Sequence, residues 1–377
     1  MHHSLPMKLL LLTDDLEIGG VPRHVTLLAN GLYSRGIEVV VAAIDGPLRE
    51  SLECPIPFIP LHTHMPTERM KKIALLSYSL FPLIHVVQSH RITIIHTHKR
   101  FSDLLGRIIA RITGTIHLST CHSLFNNLHH CSIFGDNTIA ISARINQELV
   151  GSFHKKVSAV RTILPGVPAL KPMTTYELVE KRMELGLSAR NKVIACVARL
   201  SPEKDHRSII EAIRMNADIL RREHAVVLFV GDGERKQLLA QRIVEQKLSD
   251  IIRFLPSSIS FQPVGSLADF FILASFQEGL PLTLLEAGSL GKAHIATNVG
   301  GISEFITHFR TGILVPPQDP PALASAIQFL LEHPEEAHRL GSAAKKKNEE
   351  CFGYDRCIDE TIEYYQSIIT TGRGLSK

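Results

Sequence analysis

Residues Glu278–Pro317, EGLPLTLLEAGSLGKAHIATNVGGISEFITHFRTGILVPP, set two carboxylates, Glu278 and Glu286, eight residues apart around the start of a predicted helix. Pro281 suits the first helical turn, where its missing N–H is no loss, and Leu282, Leu285 and Leu290 follow at helical spacing. Glu278 then lies in the loop just before the helix. Side chains on a helix lean toward its N-terminus, so Glu286, about one and a half turns in, can lie back toward the same end. The free N–H groups near Leu282 and Thr283, together with the helix dipole, favour an anion such as a diphosphate. A carboxylate such as Glu286 is suited to accept hydrogen bonds from the paired hydroxyls of a ribose. One helix end could thus hold phosphate, ribose and sugar. Two glutamates at this spacing are, in most sequences, only a loop charge and a solvated helix charge. Here the apolar run Ala293–Thr297, the Gly300-Gly301 turn, Glu304 and Gly312-Ile-Leu-Val-Pro-Pro follow in order.

Outward from this stretch, short apolar runs alternate with helical patterns along the chain. They are Lys8–Thr13, Val39–Ala43, Ile92–Thr97, Ile116–Thr120, Thr138–Ile141 and Val157–Ile163 in the first half. The second half has Lys192–Ala198, Ala225–Gly231, Ile251–Leu255, Phe270–Ala274, His294–Thr297 and Ile313–Val315, with helices predicted over Arg207–Ile219, Glu234–Glu245 and Pro321–Leu331. Strands alternating with helices predict parallel sheets covered on both faces, so the fold class is α/β with two Rossmann-like α/β/α domains and a ligand between them. The boundary falls at Leu164-Pro-Gly-Val-Pro168, where periodicity breaks. This assigns 1–165 to the first domain and 166–354 to the second, with Thr175–Leu185 as a linker helix. The last helix, about Asp355–Thr370, shows a single apolar stripe of Ile358, Ile362, Tyr365 and Ile369.

A chain of 377 residues exceeds the roughly 250–300 at which one core stops growing, in keeping with two domains. A net charge of +4, with no aromatic-interleaved basic stripe or nucleic-acid module, argues against nucleic acid as a partner. Six scattered cysteines, Cys54, Cys121, Cys131, Cys196, Cys351 and Cys357, read as reduced thiols, and the start of the chain shows no export signal, so a cytoplasmic location is expected. Arg69, Lys71 and Lys72 precede the apolar-rich segment Ile73–Val87, which is too short to span a bilayer. It reads either as a buried domain helix or as an interfacial helix meeting anionic lipid on the cytoplasmic face.

Val197-Ala-Arg-Leu-Ser-Pro-Glu-Lys-Asp205 follows a predicted strand and puts Arg199 and Lys204 on the loop into a helix. An arginine fork and a lysine point charge suit different oxygens of a leaving diphosphate, although most such pairs are solvated loop charges. Glu17-Ile-Gly-Gly-Val-Pro-Arg-His-Val25 opens a helix after the first strand, and Gly19 and Gly20 permit positive backbone angles and close approach to a ligand. The dinucleotide fingerprint G-x-G-x-x-G is absent from this stretch, which lowers a nicotinamide reading. His122 follows an apolar run and belongs at the carboxyl end of a strand, where ligands bind in such sheets. His96 and His98 alternate so that both imidazoles share one side of their strand. The set His117, Cys121, His122, His129, His130 and Cys131 raises zinc as an alternative, but its spacings match no standard ligand pair.

Taken together, the Glu278–Pro317 string, the Arg199–Lys204 element and the glycine-rich loop resemble the retaining glycosyltransferases of family 4 (glycosyltransferase group 1), which have the two-domain GT-B fold. The resemblance implies two Rossmann-like domains facing across a cleft, with 1–165 plus the crossing helix 355–377 holding acceptor and 166–354 holding donor. It implies transfer of a hexosyl-type sugar, with retention, from a nucleotide-sugar donor, expected to be UDP-linked, to a hydroxyl of a glycan or lipid-linked acceptor in cell-surface polysaccharide or lipopolysaccharide synthesis. It also implies no metal or other cofactor in the active site. Donor-binding roles then fall on Gly19, Gly20, Arg199, Lys204, Leu282, Thr283 and Glu286, and catalytic roles on Glu278 and His122. His96-Thr-His98 resembles the family's H-x-H strand end. The chain departs from the family where Ala198 and Asp205 replace glycines, where Ile163-Leu-Pro-Gly-Val lacks an asparagine, and at Pro256. These departures leave open a non-catalytic sugar-binding or scaffold protein as the second reading. An epimerase or a phosphorylase on the same fold has no specific support in the sequence.

Overall fold

The computed structural model describes residues 7–61, 68–123 and 135–374. The chain divides into two compact units, Met1–Pro165 with Asp355–Lys377, and Gly166–Tyr354. In the first unit the strands are β1 (Lys8–Asp15), β2 (Glu38–Ile44), β3 (Phe58–Pro60), β4 (Ile94–Thr97), β5 (Ile116–Cys121), β6 (Asn137–Ala140) and β7 (Val160–Thr162). They form one sheet in the order β3-β2-β1-β4-β5-β6-β7, every neighbouring pair parallel. In the second unit β8 (Lys192–Val197), β9 (Ala225–Val230), β10 (Ile252–Leu255), β11 (Phe270–Leu273), β12 (Ala293–Thr297) and β13 (Ile313–Val315) form a second parallel sheet. Its order is β10-β9-β8-β11-β12-β13.

Parallel strands are covered by helices on both faces and therefore read as continuous apolar runs. Leu9 to Leu12 in β1 and Ala225 to Val230 in β9 are buried without interruption. Both sheets are doubly wound. The chain builds outward from β1 to β3 and then returns beside β1 at β4; it builds from β8 to β10 and returns beside β8 at β11. Each reversal leaves a crevice at the carboxyl ends of the two strands, the place where such sheets bind ligands.

The structure departs from the sequence reading in detail. β3 is an additional edge strand, kept to three residues by the prolines around it. The stretch read as one strand over Val157–Ile163 begins instead as a 3-10 turn, Val157–Ala159, before β7. The helix expected over Arg207–Ile219 is two, His206–Met215 and Ala217–Arg222. The segment from Ile73 to Val87 lies in the helix Glu68–Ser89, whose Leu83, Val86 and Val87 face the core while Tyr78 and Phe81 are exposed. Among the described residues no helix is long and apolar enough to cross a membrane.

The last helix, Tyr354–Gly374, docks onto the first unit along the predicted stripe, with Ile358, Tyr365 and Ile369 buried. Tyr365 is fully buried, and its hydroxyl lies 2.7 Å from His96 Nδ1. Arg35 pairs with Asp355 and Asp359 at 2.7 Å each, and Arg356 donates to the Leu164 carbonyl at 2.8 Å. The two exposed ion pairs contribute little, whereas burial of Tyr365 with a satisfied hydroxyl anchors the helix. Tyr365→Phe keeps the ring and leaves His96 Nδ1 without its partner. It should cost about 1–3 kcal/mol in urea unfolding of the full chain.

Asp103, on the helix Arg100–Thr113, is buried and accepts a hydrogen bond from Thr97 Oγ1. Burial pushes its carboxyl up to about 8, above its ordinary value of 3.8. The folded state therefore holds this proton more tightly than the unfolded state. The stability it contributes is complete below pH 3.8 and is lost as pH rises through 8. Asp103→Asn, which cannot ionise, should gain on the parent protein as pH is raised from 5 to 8, read as a widening gap between urea midpoints.

Candidate active site

The crevice beside β8 and β11 collects the predicted donor residues of the second unit. The loop leaving β8 turns through a 3-10 helix, Pro202–Lys204, and carries exposed Arg199 and half-buried Lys204. The loop leaving β11 carries Ser275 and Glu278, both buried. Two interactions join these loops: Phe276 N–H donates to the Glu203 carbonyl at 3.0 Å, and Lys204 Nζ lies 2.5 Å from Glu278 Oε1. Ser275 Oγ donates to the same carboxylate oxygen at 2.7 Å. Glu278, only 8% exposed, is thus a buried acid neutralised by a specific cation and held by a hydroxyl. The spacing of the two motifs gave no sign of this pairing.

Asp205 stands where the family pattern has a glycine, and it takes the left-handed conformation itself, with φ 45° and ψ 47°. Aspartate is among the residues that tolerate this region. Its carboxylate also caps the next helix, accepting from Ser208 N–H at 3.3 Å and Ser208 Oγ at 2.6 Å. The substitution therefore preserves the turn that carries Lys204.

The helix after Glu278 runs Leu282–Ser289, one residue later than expected, with Pro281 as its extended N-cap at ψ 125°. Leu282 and Thr283 lie in its first turn, where amides have no intrahelical acceptor. No acidic side chain occupies that turn, so the positive end of the helix is uncompensated. Glu286 lies in the second turn and is 2% exposed, among the buried Leu282, Leu285 and Ala287. A carboxylate in such surroundings is costly unless hydrogen-bonded.

Backbone packing fixes this loop. Gly300 adopts φ +55°, and a Cβ built there would lie 1.9 Å from the Glu278 carbonyl oxygen. The adjoining Gly301 N–H donates to the Gly279 carbonyl at 2.6 Å. The glycine pair that reads in sequence as a turn is therefore the clamp on the Glu278 loop.

A second support is absent from the sequence reading. After β9, Gly231 crosses the Arg199 loop so closely that a Cβ would lie 2.1 Å from the Ala198 carbonyl oxygen. Leu200 N–H donates to the Asp232 carbonyl at 2.9 Å. Asp232 also accepts from Lys236 Nζ at 2.7 Å and from Ser257 N–H at 2.9 Å, and these bonds, that of Lys236 foremost, hold its carboxyl down at about 2. The Gly231-Asp-Gly233 sequence directly after a strand was the available signal.

In the first unit, Gly19 N-caps the helix Gly20–Ser34 with an extended backbone, φ 177°, which any residue can adopt. Gly20 likewise needs no left-handed angle, and a Cβ there would meet nothing within 4 Å. The expected positive backbone angles are thus not used. The missing side chain of Gly20 leaves open space at the helix start.

His122 directly follows β5, at its carboxyl end as the apolar run predicted, and its Nε2 lies 3.2 Å from His98 Nδ1. His96 and His98 do face together, with ring centroids 4.2 Å apart. His96 is structural, bonded at 2.7 Å to both the Tyr365 hydroxyl and Thr120 Oγ1. His24, two residues past Pro22 in the helix that follows Gly19, meets His122 edge-on at 4.9 Å and was not singled out by sequence. Burial holds the His24 imidazole down at about 4, and those of His98 and His122 well below their ordinary value. Among the described members of the cysteine–histidine set raised as a zinc alternative, His117 and Cys121 turn to other partners. His117 Nε2 meets Thr97 Oγ1 at 3.0 Å, Cys121 Sγ turns to the Ser123 carbonyl, and His129, His130 and Cys131 lie outside the described residues.

Two doubly wound parallel sheets, with a cation-bearing loop and a helix start without a side-chain cap in the second, define an α/β protein of the GT-B class. The sequence profile for Glycosyltransferase Family 4 matches residues 18–169, and that for Glycosyl transferases group 1 matches residues 179–347. The chain is 25% identical to N-acetyl-alpha-D-glucosaminyl L-malate synthase of Bacillus anthracis, covering 92% of this chain and 94% of that one. It is 26% identical to the D-inositol 3-phosphate glycosyltransferase of Streptomyces avermitilis, covering 95% and 85%. In structure it resembles HepE from Anabaena, solved in complex with UDP-glucose, at TM-score 0.83 and 21% identity over 96% of this chain and all of that one. Sucrose-phosphate synthase from Thermosynechococcus elongatus superimposes at TM-score 0.82 and 20% identity, over 97% and 100%. The chain belongs to the group 1, family 4 glycosyltransferases and is an enzyme of the hexosyltransferase type.

Because Gly300 has neither the conformational nor the steric room for a methyl group, Gly300→Ala should displace the Glu278 loop. Loss of nucleotide-sugar binding by calorimetry, with the far-UV circular dichroism of the parent retained, is the expected result.

Proposed function

We propose that the chain transfers a hexosyl residue, with retention, from a UDP-linked sugar to a hydroxyl of a glycan or lipid-linked acceptor. The observation that carries this reading is the joined pair of loops at the β8–β11 crevice, where Lys204 and Glu278 meet beside the open N-terminus of the Leu282–Ser289 helix. The named complex of HepE with UDP-glucose supports the choice of base.

Arg199 and Lys204 take the diphosphate, aided by the Leu282 and Thr283 amides, and stabilise charge where it develops on the leaving group. The bond between sugar C1 and the diphosphate oxygen breaks, the acceptor oxygen bonds to C1, and the acceptor proton leaves with the diphosphate. Glu286 accepts hydrogen bonds from the ribose hydroxyls. Glu278 contacts the sugar hydroxyls and holds Lys204 in place. A carboxylate already engaged by an ammonium and a hydroxyl is a weakened nucleophile, which argues against a covalent glycosyl-enzyme. His122 contacts the sugar or the acceptor, and Gly19 and Gly20 leave room for the donor phosphates, as the family resemblance implies.

Among the described residues no cysteine forms a disulfide, and three of the five are buried, which supports a reducing, cytosolic compartment. Exposed Tyr78 and Phe81 support a lipid-linked acceptor presented at a membrane surface.

Glu286→Ala, Arg199→Ala and Lys204→Ala should each weaken UDP binding by about tenfold or more, the loss of one or more charge-assisted hydrogen bonds. Unchanged UDP affinity in all three folded variants removes the site assignment. Release of free UDP from UDP-sugars by the parent protein, lost in Lys204→Ala, tests turnover directly.

A further inference from the structure

Glu278 has two carboxylate oxygens, and its surroundings treat them differently. Lys204 Nζ lies 2.5 Å and Ser275 Oγ 2.7 Å from the same one, Oε1. Oε2 takes no hydrogen bond from a described residue. We propose that Ser275 is a positioning residue, which keeps Oε1 for Lys204 and turns Oε2 to the hydroxyls of the donor sugar, so that the sugar is selected separately from its nucleotide. This rests on the donor reading above.

The arrangement needs a directional donor, and the lysine is not one. The clamp at Gly300 fixes the backbone of Glu278. A glutamate side chain still turns about three torsions, the last of them broad and roughly two-fold. An ammonium is a compact point charge with no fixed fork, so Lys204 by itself has no means of telling one carboxylate oxygen from the other. A hydroxyl has a single proton to give, and the bond it makes is directional. Ser275 thereby breaks the symmetry of the carboxylate.

Ser275 is also held rigidly enough to do this. It lies two residues past the end of β11 and is fully buried. Its carbonyl accepts from Thr297 Oγ1 at the end of β12, and the next amide, Phe276 N–H, donates to the Glu203 carbonyl on the loop leaving β8. The strands on both sides of β11 therefore brace this residue. With Oε1 doubly engaged, Oε2 keeps its lone pairs for a ligand. A nucleotide without its sugar leaves that oxygen unpaired, and an unpaired polar group in a binding site discriminates strongly against the ligand that lacks the partner.

Calorimetric titration of the full chain with UDP and with UDP-glucose, UDP-galactose or UDP-N-acetylglucosamine, whichever of the three binds the parent most tightly, tests the proposal. Ser275→Ala should weaken binding of that UDP-sugar by about tenfold and change UDP affinity by no more than about twofold, because the lost order concerns a charge-assisted hydrogen bond that only the sugar makes. UDP release at saturating UDP-sugar should fall as well. Ser275→Cys, close in size but a weaker donor, should lie between the parent and Ser275→Ala. An unchanged ratio of the two affinities in Ser275→Ala, whether both hold or both weaken alike as a merely structural loss would produce, overturns the inference and leaves the donor reading in place. A parent protein that binds no UDP removes the donor reading itself, and this inference with it.

Discussion

A parallel strand buried on both faces must be covered by helices on both sides, and every other feature of this protein follows from that constraint. The crossover connections deliver successive loops to the same end of each sheet. Where the winding reverses, at β1–β4 and at β8–β11, two of those loops diverge and leave a crevice. Residues more than seventy positions apart, such as Lys204 and Glu278, become neighbours there with no local sequence signal of their meeting. The same reversal in the first unit gathers His24 and His98, with His122 one strand further on.

Within the second crevice, electrostatics and backbone packing depend on each other. The Lys204 ammonium compensates burial of Glu278, and that pairing requires the Glu278 loop to sit where only a glycine at 300 permits it. Asp205 replaces a glycine without loss because its carboxylate both stabilises the left-handed turn and caps the helix that follows. The departure at this position is thus a change of residue and not of geometry. It removes one reason for reading the chain as a non-catalytic relative.

Legibility differed sharply between elements. Strands buried on both faces, such as β1 and β9, were plain as unbroken apolar runs. The edge strand β3 was missed because three residues among prolines give no periodicity. The helix Phe261–Leu267 was not predicted, since Pro263 falls in its first turn, yet it packs Val264 and Leu267 into the core. Glycines misled in both directions. Gly19 and Gly20 suggested unusual backbone angles they do not adopt, while Gly231 crosses the Arg199 loop and passed as the end of a strand.

The amino-acid sequence by itself determined the α/β class, the run of parallel strands, the family, and the candidate residues at strand ends and helix starts. Periodicity and short motifs are local, and they survive without knowledge of the fold. Only the tertiary structure decided that Lys204 is paired with Glu278, that Gly300 locks the loop between them, that His96 is structural, and that His24 joins His98 and His122. Each of these depends on contact between segments distant in the chain, and such contacts are set by sheet order and close packing rather than by neighbouring residues.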